Sequence, residues 1–182
     1  AMKIQSRDIP HKSDIGGVIL GIDSRAAAEA AYDRLAESAR RHRPDAHILG
    51  VLISPMAKPG IEMIVGTVRD AAFGPMVMVG LGGVAAEIYK DVVWRPAPVT
   101  AAQAGEMIDQ LKATVLLDGF RGAAKADRAA LTDLIVQLSQ VAMAVSHVVA
   151  EIDLNPVMVH ADSEGVSIVD ALLVATLEQM AE

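Results

Sequence analysis

The segment EIDLNP, residues 151–156, places three oxygen-bearing side chains at alternate positions. Alternate residues of an extended strand share a face, so Glu151, Asp153 and Asn155 take one side while Ile152 and Leu154 take the other. A second candidate strand, Gly165 to Asp170, alternates through Val166, Ile168 and Asp170 and brings another carboxylate to the end of the hairpin partner. Hard oxygen donors of this kind suit a divalent cation, and Mg2+ fits them best. The same pattern also describes an ordinary solvated strand face.

A second constellation is HKSDIGG, residues 11–17, where His11, Lys12 and Ser13 precede a glycine pair. Backbone amides and a cation in such a loop can wrap a phosphate chain. There is no GxxxxGK[ST] pattern anywhere, so the loop is not a Walker motif, and a plain exposed loop has the same composition. Lys3, at the end of its strand, can add positive charge toward the same place. Glu62 sits just after a Pro- and Gly-rich segment, where a carboxylate can meet a ribose, a metal or a lysine, or simply lie on an exposed edge. GLGGVAAE, residues 80–87, lacks the GxGxxG spacing and does not open a βαβ unit, which argues against a dinucleotide fingerprint. His42, His47, His147 and His160 have no ligand-like spacing and read as surface or hydrogen-bonded structural histidines. No GxSxG elbow occurs, and a chain with no cysteine has no thiol nucleophile.

These groups need a scaffold of strands joined by tight loops. The chain has 182 residues, 52% of them hydrophobic but only 3% aromatic, so Val, Ile, Leu, Met and Ala must build the core of an α/β domain or of two small lobes. Sixteen Lys and Arg against 23 Asp and Glu leave a net charge of -7, which argues against a nucleic-acid reader acting through bulk charge but leaves room for a local basic pocket. The absence of a long apolar run or signal-like start predicts a soluble cytoplasmic chain away from membranes. Lys3 to Gln5 reads as the end of a strand, the polar stretch 6–17 as a mobile loop, and Val18 to Ile22 as a short strand. Asp23 and Ser24 offer the N-cap of a helix that Pro44 ends, and Ala46 to Ser54 returns as a strand. PMAKPG, residues 55–60, denies regular structure and predicts a hinge. Beyond it, strands are expected over 61–68, 75–79 and 92–95 in an antiparallel sheet. Helices are expected from Thr100 to Leu111 and from Asp127 through Val145, then a hairpin around HADSEG and a last helix over 171–180.

Taken in order, IPHKSDIGGV, PMAKPGIEMIVGTVRDAAFGPMVMVGLGG, KDVVWRPAP and EIDLNPVMV resemble the ATP-grasp domain of ADP-forming acyl-CoA synthetases, relatives of the succinyl-CoA synthetase β subunit. The resemblance spans nearly the whole chain. It implies an α/β (α+β) ATP-grasp fold of two lobes, residues 1–58 and 59–182, with an N-terminally truncated first lobe, because the family domain begins some tens of residues earlier. It implies ATP/ADP and Mg2+ as cofactors. Lys3 matches the lysine that reaches the nucleotide phosphates, and His11, Lys12 and Ser13 match the loop that grasps them. Ser54 to Ala57 match the hinge that meets adenine, largely through backbone groups, and Glu62 matches the glutamate near the ribose. Asn155 and Asp170 match the magnesium-holding pair. His11 further matches a histidine that accepts a phosphoryl group and passes it between sites. CoA-binding and ligase domains, on this chain or a partner, complete the synthetase, and assembly into an oligomer is compatible with this. A noncatalytic nucleotide-sensing module, such as one fused to an acetyltransferase, is the alternative.

Overall fold

In the computed structural model, residues 1–83 and 91–176 are described, and they form two units, Ala1–Met56 and Ala57–Glu182. The boundary falls within PMAKPG. In the first unit β1 (Met2–Gln5) is the middle strand of a three-stranded antiparallel sheet, between β2 (Val18–Ile19) and β3 (Gly50–Ile53). Helix α1 (Arg25–His42) begins where the Ser24 hydroxyl accepts the Ala27 N–H at 3.2 Å, which satisfies one of the free amides of the first turn. Its buried Ala31, Leu35 and Ala39 recur every four residues and close over Met2 and Ile4. Ile9 joins that core at 2% exposure, so the 6–17 segment is not the free loop its polar composition suggests. Apolar Ile9 pins its middle.

The second unit is a sheet in the order β6-β5-β4-β7-β8. Its strands are β4 (Ile61–Asp70), β5 (Gly74–Leu81), β6 (Val92–Pro96), β7 (Val149–Val159) and β8 (Val166–Ile168). Helix α2 (Ala101–Gln110) starts in a capping box formed by Thr100 and Gln103, and the one-turn α3 (Thr114–Leu117) follows it. Helix α4 (Arg128–Val145) starts from the Asp127 cap. Met107, Ile108, Leu131, Ile135 and Leu138 from these helices bury Met63, Val65, Val77, Val79, Ile152 and Leu154, which covers one face of the sheet. The glycine-rich stretch 80–87 is described only as far as Gly83.

The expected last helix is corrected by the structure: Ala171–Ala175 is a strand, β9, paired antiparallel to β7. The run ALLVA carries Leu and Val with no helical stripe to bury, and the open edge of β7 offers backbone partners instead. Residues 177–180 of that expected helix lie outside the described residues.

Candidate functional site

In the first unit, Lys3 lies in the middle of the sheet, opposite Val18 on β2 and Leu52 on β3, and only 5% of it is exposed. A buried lysine needs hydrogen-bond or charge partners for its ammonium group. The next residue joins it to the candidate phosphate loop, because the Ile4 N–H donates to the Gly17 carbonyl at 2.9 Å. The loop closes on itself through the Gly17 N–H, which donates to the Lys12 carbonyl at 2.7 Å. A Cβ at Gly17 would stand 2.7 Å from that same oxygen, so only glycine permits the closure. Between these ends Ser13–Ile15 forms a 3-10 turn, and the Ser38 hydroxyl of α1 donates to the Ile15 carbonyl. His11 and Ser13 stand exposed and Lys12 half-buried on a loop whose base is fixed. Lys3 and the loop are thus neighbours through the backbone.

The hinge residues divide between the units. Ser54 extends the β1–β3 pairing: its N–H donates to the Ala1 carbonyl at 3.0 Å, and its own carbonyl accepts the Ala1 amine at 2.8 Å. Ala57 opens the second unit and is half-buried.

In the second unit, β7 is paired on both sides, and its middle departs from regular alternation. Against β4, Met63 faces Val157 but Val65 faces Leu154, so β7 carries one residue more than β4 between those points. This is a β-bulge at Asn155 and Pro156, and it re-aims the strand. Before it the buried residues are Ile152 and Leu154, and after it Val157 and Val159. Pro156 has no N–H to give to a ladder, which is the sequence signal that marks the place. On the other edge, the Asn155 N–H donates to the Asp170 carbonyl at 3.2 Å, and the Val169 N–H donates to the Pro156 carbonyl at 3.0 Å. The Asp170 carboxylate accepts the Ala171 N–H at 3.0 Å. Asn155 and Asp170 are therefore adjacent, with half-buried Asp153 and exposed Glu151 on the same strand face.

This donor set fits a magnesium ion. Among the described residues no three His, Asp or Glu side chains cluster as a metal cage, and magnesium needs none: one or two protein oxygen ligands suffice when phosphates and water supply the rest. Glu62, exposed at the start of β4, faces Met158 on β7, three residues along from Asn155. Its carbonyl accepts the Gly82 N–H at 2.8 Å, and its carboxylate lies over Gly83.

Sequence reasoning missed a buried polar hub in this unit. Asp127 accepts the Ala130 N–H at 3.0 Å and the Gly165 N–H at 2.9 Å, tying the start of α4 to the β7–β8 turn. These amide donors hold its carboxyl below the usual carboxylate range. His160, 4% exposed, joins the same hub: its carbonyl accepts the Asp127 N–H at 2.9 Å, and its N–H donates to Gly165 at 3.1 Å.

The ATP-grasp domain model matches residues 1–174, across both the three-stranded unit with its glycine-closed loop and the antiparallel unit with its adjacent oxygen donors, and so defines an ATP-grasp domain. The chain belongs to the family of ATP-grasp domains of ADP-forming acyl-CoA synthetases. It is 43% identical over 174 residues to the acetate–CoA ligase (ADP-forming) II subunit beta of Pyrococcus furiosus, covering 96% of this chain and 74% of that protein. The dinucleotide-forming acetyl-coenzyme A synthetase 1 of Ca. Korarchaeum cryptofilum, solved with coenzyme A, Ca-AMPCP and HgCl+, superposes with a TM-score of 0.89 at 40% identity, covering 96% of this chain and 75% of that one. The same synthetase with coenzyme A and Mg-AMPPCP, its phosphohistidine segment pointing towards the nucleotide binding site, gives a TM-score of 0.79 at 36% identity, covering 97% of this chain and 76% of that one.

Proposed function

We propose that this chain is the ATP-handling part of an ADP-forming acyl-CoA synthetase, an acid–thiol ligase that converts acid, CoA and ATP reversibly to acyl-CoA, ADP and phosphate. The observation that carries the reading is the 43% identity maintained over 174 residues to the beta subunit of such a ligase. The bound AMPCP and Mg-AMPPCP of the structural relatives support ATP/ADP with Mg2+ as the cofactors. The relatives are synthetases, which does not favour the noncatalytic sensing alternative.

The site residues take their parts from chemistry. Ser54 to Ala57 hold adenine. Because the Ser54 N–H is already given to Ala1, Ser54 contributes its hydroxyl or the second lone pair of its carbonyl. Glu62 accepts hydrogen bonds from the ribose hydroxyls. Lys3, Lys12 and Ser13 surround the phosphates with positive charge and donors. Asn155 and Asp170 would hold Mg2+, which neutralises phosphate charge when bound. The His11 imidazole attacks the γ-phosphorus in line: a nitrogen–phosphorus bond forms, the bridging oxygen–phosphorus bond breaks, and ADP leaves with the electron pair. The phosphoryl group then passes to CoA-binding and ligase partners that complete the reaction. Incubating the assembled enzyme with labelled ATP tests this: acid-labile, base-stable label on this chain is expected, and its absence from a folded, nucleotide-bound chain contradicts the histidine step.

A further inference from the structure

The hub around His160 has a consequence for the nucleotide site. Its ring is buried at 4% exposure, and both nitrogens are bonded: Nδ1 lies 3.1 Å from the Pro59 carbonyl and Nε2 lies 2.7 Å from the Ser167 hydroxyl. A carbonyl only accepts, so Nδ1 carries the proton and donates to Pro59, while Nε2 accepts from Ser167 in the neutral ring. Pro59 is the last residue but one of the PMAKPG hinge. The next residue, Gly60, packs so closely that a Cβ there would stand 2.6 Å from the Val159 carbonyl and 3.2 Å from His160 Nδ1. Proline has no N–H, and its carbonyl is the backbone group by which this point of the hinge is held from the side.

We infer that His160 is a positioning residue for nucleotide binding: its Nδ1–H clamps the Pro59 carbonyl and so fixes where the adenine-holding hinge leaves the second unit. The inference rests on the assignment of Ser54 to Ala57 as the adenine segment. The clamp is itself braced. The backbone of His160 is bonded to Asp127 and Gly165, and its ring is held from behind by Ser167, so the imidazole has no room to follow a hinge that moves. Four segments meet at this one residue: the hinge and β8 at its ring, the start of α4 and the β7–β8 turn at its backbone. The proline-bounded segment thereby acquires one fixed end, and a pre-set recognition segment binds its ligand with less ordering cost.

Two isosteric variants separate the clamp from plain structural burial. In His160→Asn the amide nitrogen takes the place of Nδ1 and keeps the bond to Pro59. In His160→Gln the terminal amide takes the place of Nε2, keeps Ser167 and abandons Pro59. Ser167→Ala removes the brace alone. All are compared in the full chain by thermal midpoint, by amide exchange over residues 54–61 without nucleotide, and by calorimetric affinity for Mg-ATP. Hinge exchange is expected to quicken and affinity to fall roughly tenfold in His160→Gln, while His160→Asn stays within about threefold of the parent in both. If the Asn and Gln variants behave alike in exchange and affinity, or if both quantities only follow the thermal midpoint, His160 is merely a core residue and the inference is wrong. Absence of Mg-ATP binding by the folded parent chain would overturn the adenine assignment instead. The ligand-free exchange contrast would then still decide whether Pro59 is clamped.

Discussion

The division of labour at the site turns on individual atoms. His11 is exposed on a loop whose base is fixed by Gly17 and Ser38, and the proposed mechanism has it attack the phosphorus from there. His11→Ala is expected to bind Mg-ATP within about threefold of the parent, because one phosphate contact contributes little beside the cations. Phosphoryl transfer measured in the assembled enzyme should fall by at least about a thousandfold, as expected when a nucleophile is removed. Transfer at near-normal rate by that variant would reduce His11 to a binding residue. A different response is expected at Asp127, whose carboxyl is held low by the Ala130 and Gly165 amides. A depressed folded pKa means that the stabilisation is complete above the unfolded value of about 3.9 and is lost as pH falls through the lower folded value. Asp127→Asn should therefore flatten the decline in stability as pH falls below about 5, measured by urea unfolding.

At the scale of elements, the Asp127 cap joins α4 to the hairpin. Asp127→Ala removes both the cap and the Gly165 bond, and denaturant unfolding should show a loss of about 1–3 kcal/mol. A loss under about 0.5 kcal/mol would mean that α4 is held by packing alone. Much of this layer was legible in the sequence. The Ser24, Thr100 and Asp127 caps mark the starts of α1, α2 and α4, and strand alternation puts Glu151, Asp153 and Asn155 on one face. Three features were hidden because tertiary pairing decides them. The ALLVA segment becomes β9 because β7 has a free edge, a fact that local propensity does not carry. The bulge depends on the register between β4 and β7, although Pro156 in a strand-like run points to it. The His160 hub joins residues 59, 127, 160, 165 and 167, and only the fold brings positions 59 and 160 together. Lys3 and the HKSDIGG loop were easier, since β1 and β2 are close in the chain and pair directly.

At the scale of the whole molecule, the proposed division gives this chain the nucleotide chemistry and gives thioester formation to CoA-binding and ligase partners. Purified alone, it should show no turnover of acetate, CoA and ATP to acetyl-CoA, and adding the CoA-binding and ligase parts should restore it. Turnover by the chain alone would refute that division. Nucleotide binding through magnesium is the claim on which the rest depends, and calorimetric titration of the folded chain with ATP, with and without Mg2+, tests it most directly. A single site is predicted that weakens at least about tenfold when Mg2+ is withheld, and Asp170→Asn should remove most of that magnesium dependence while leaving the thermal midpoint nearly unchanged. No binding by the folded chain, or an affinity indifferent both to Mg2+ and to Asp170→Asn, would contradict the account.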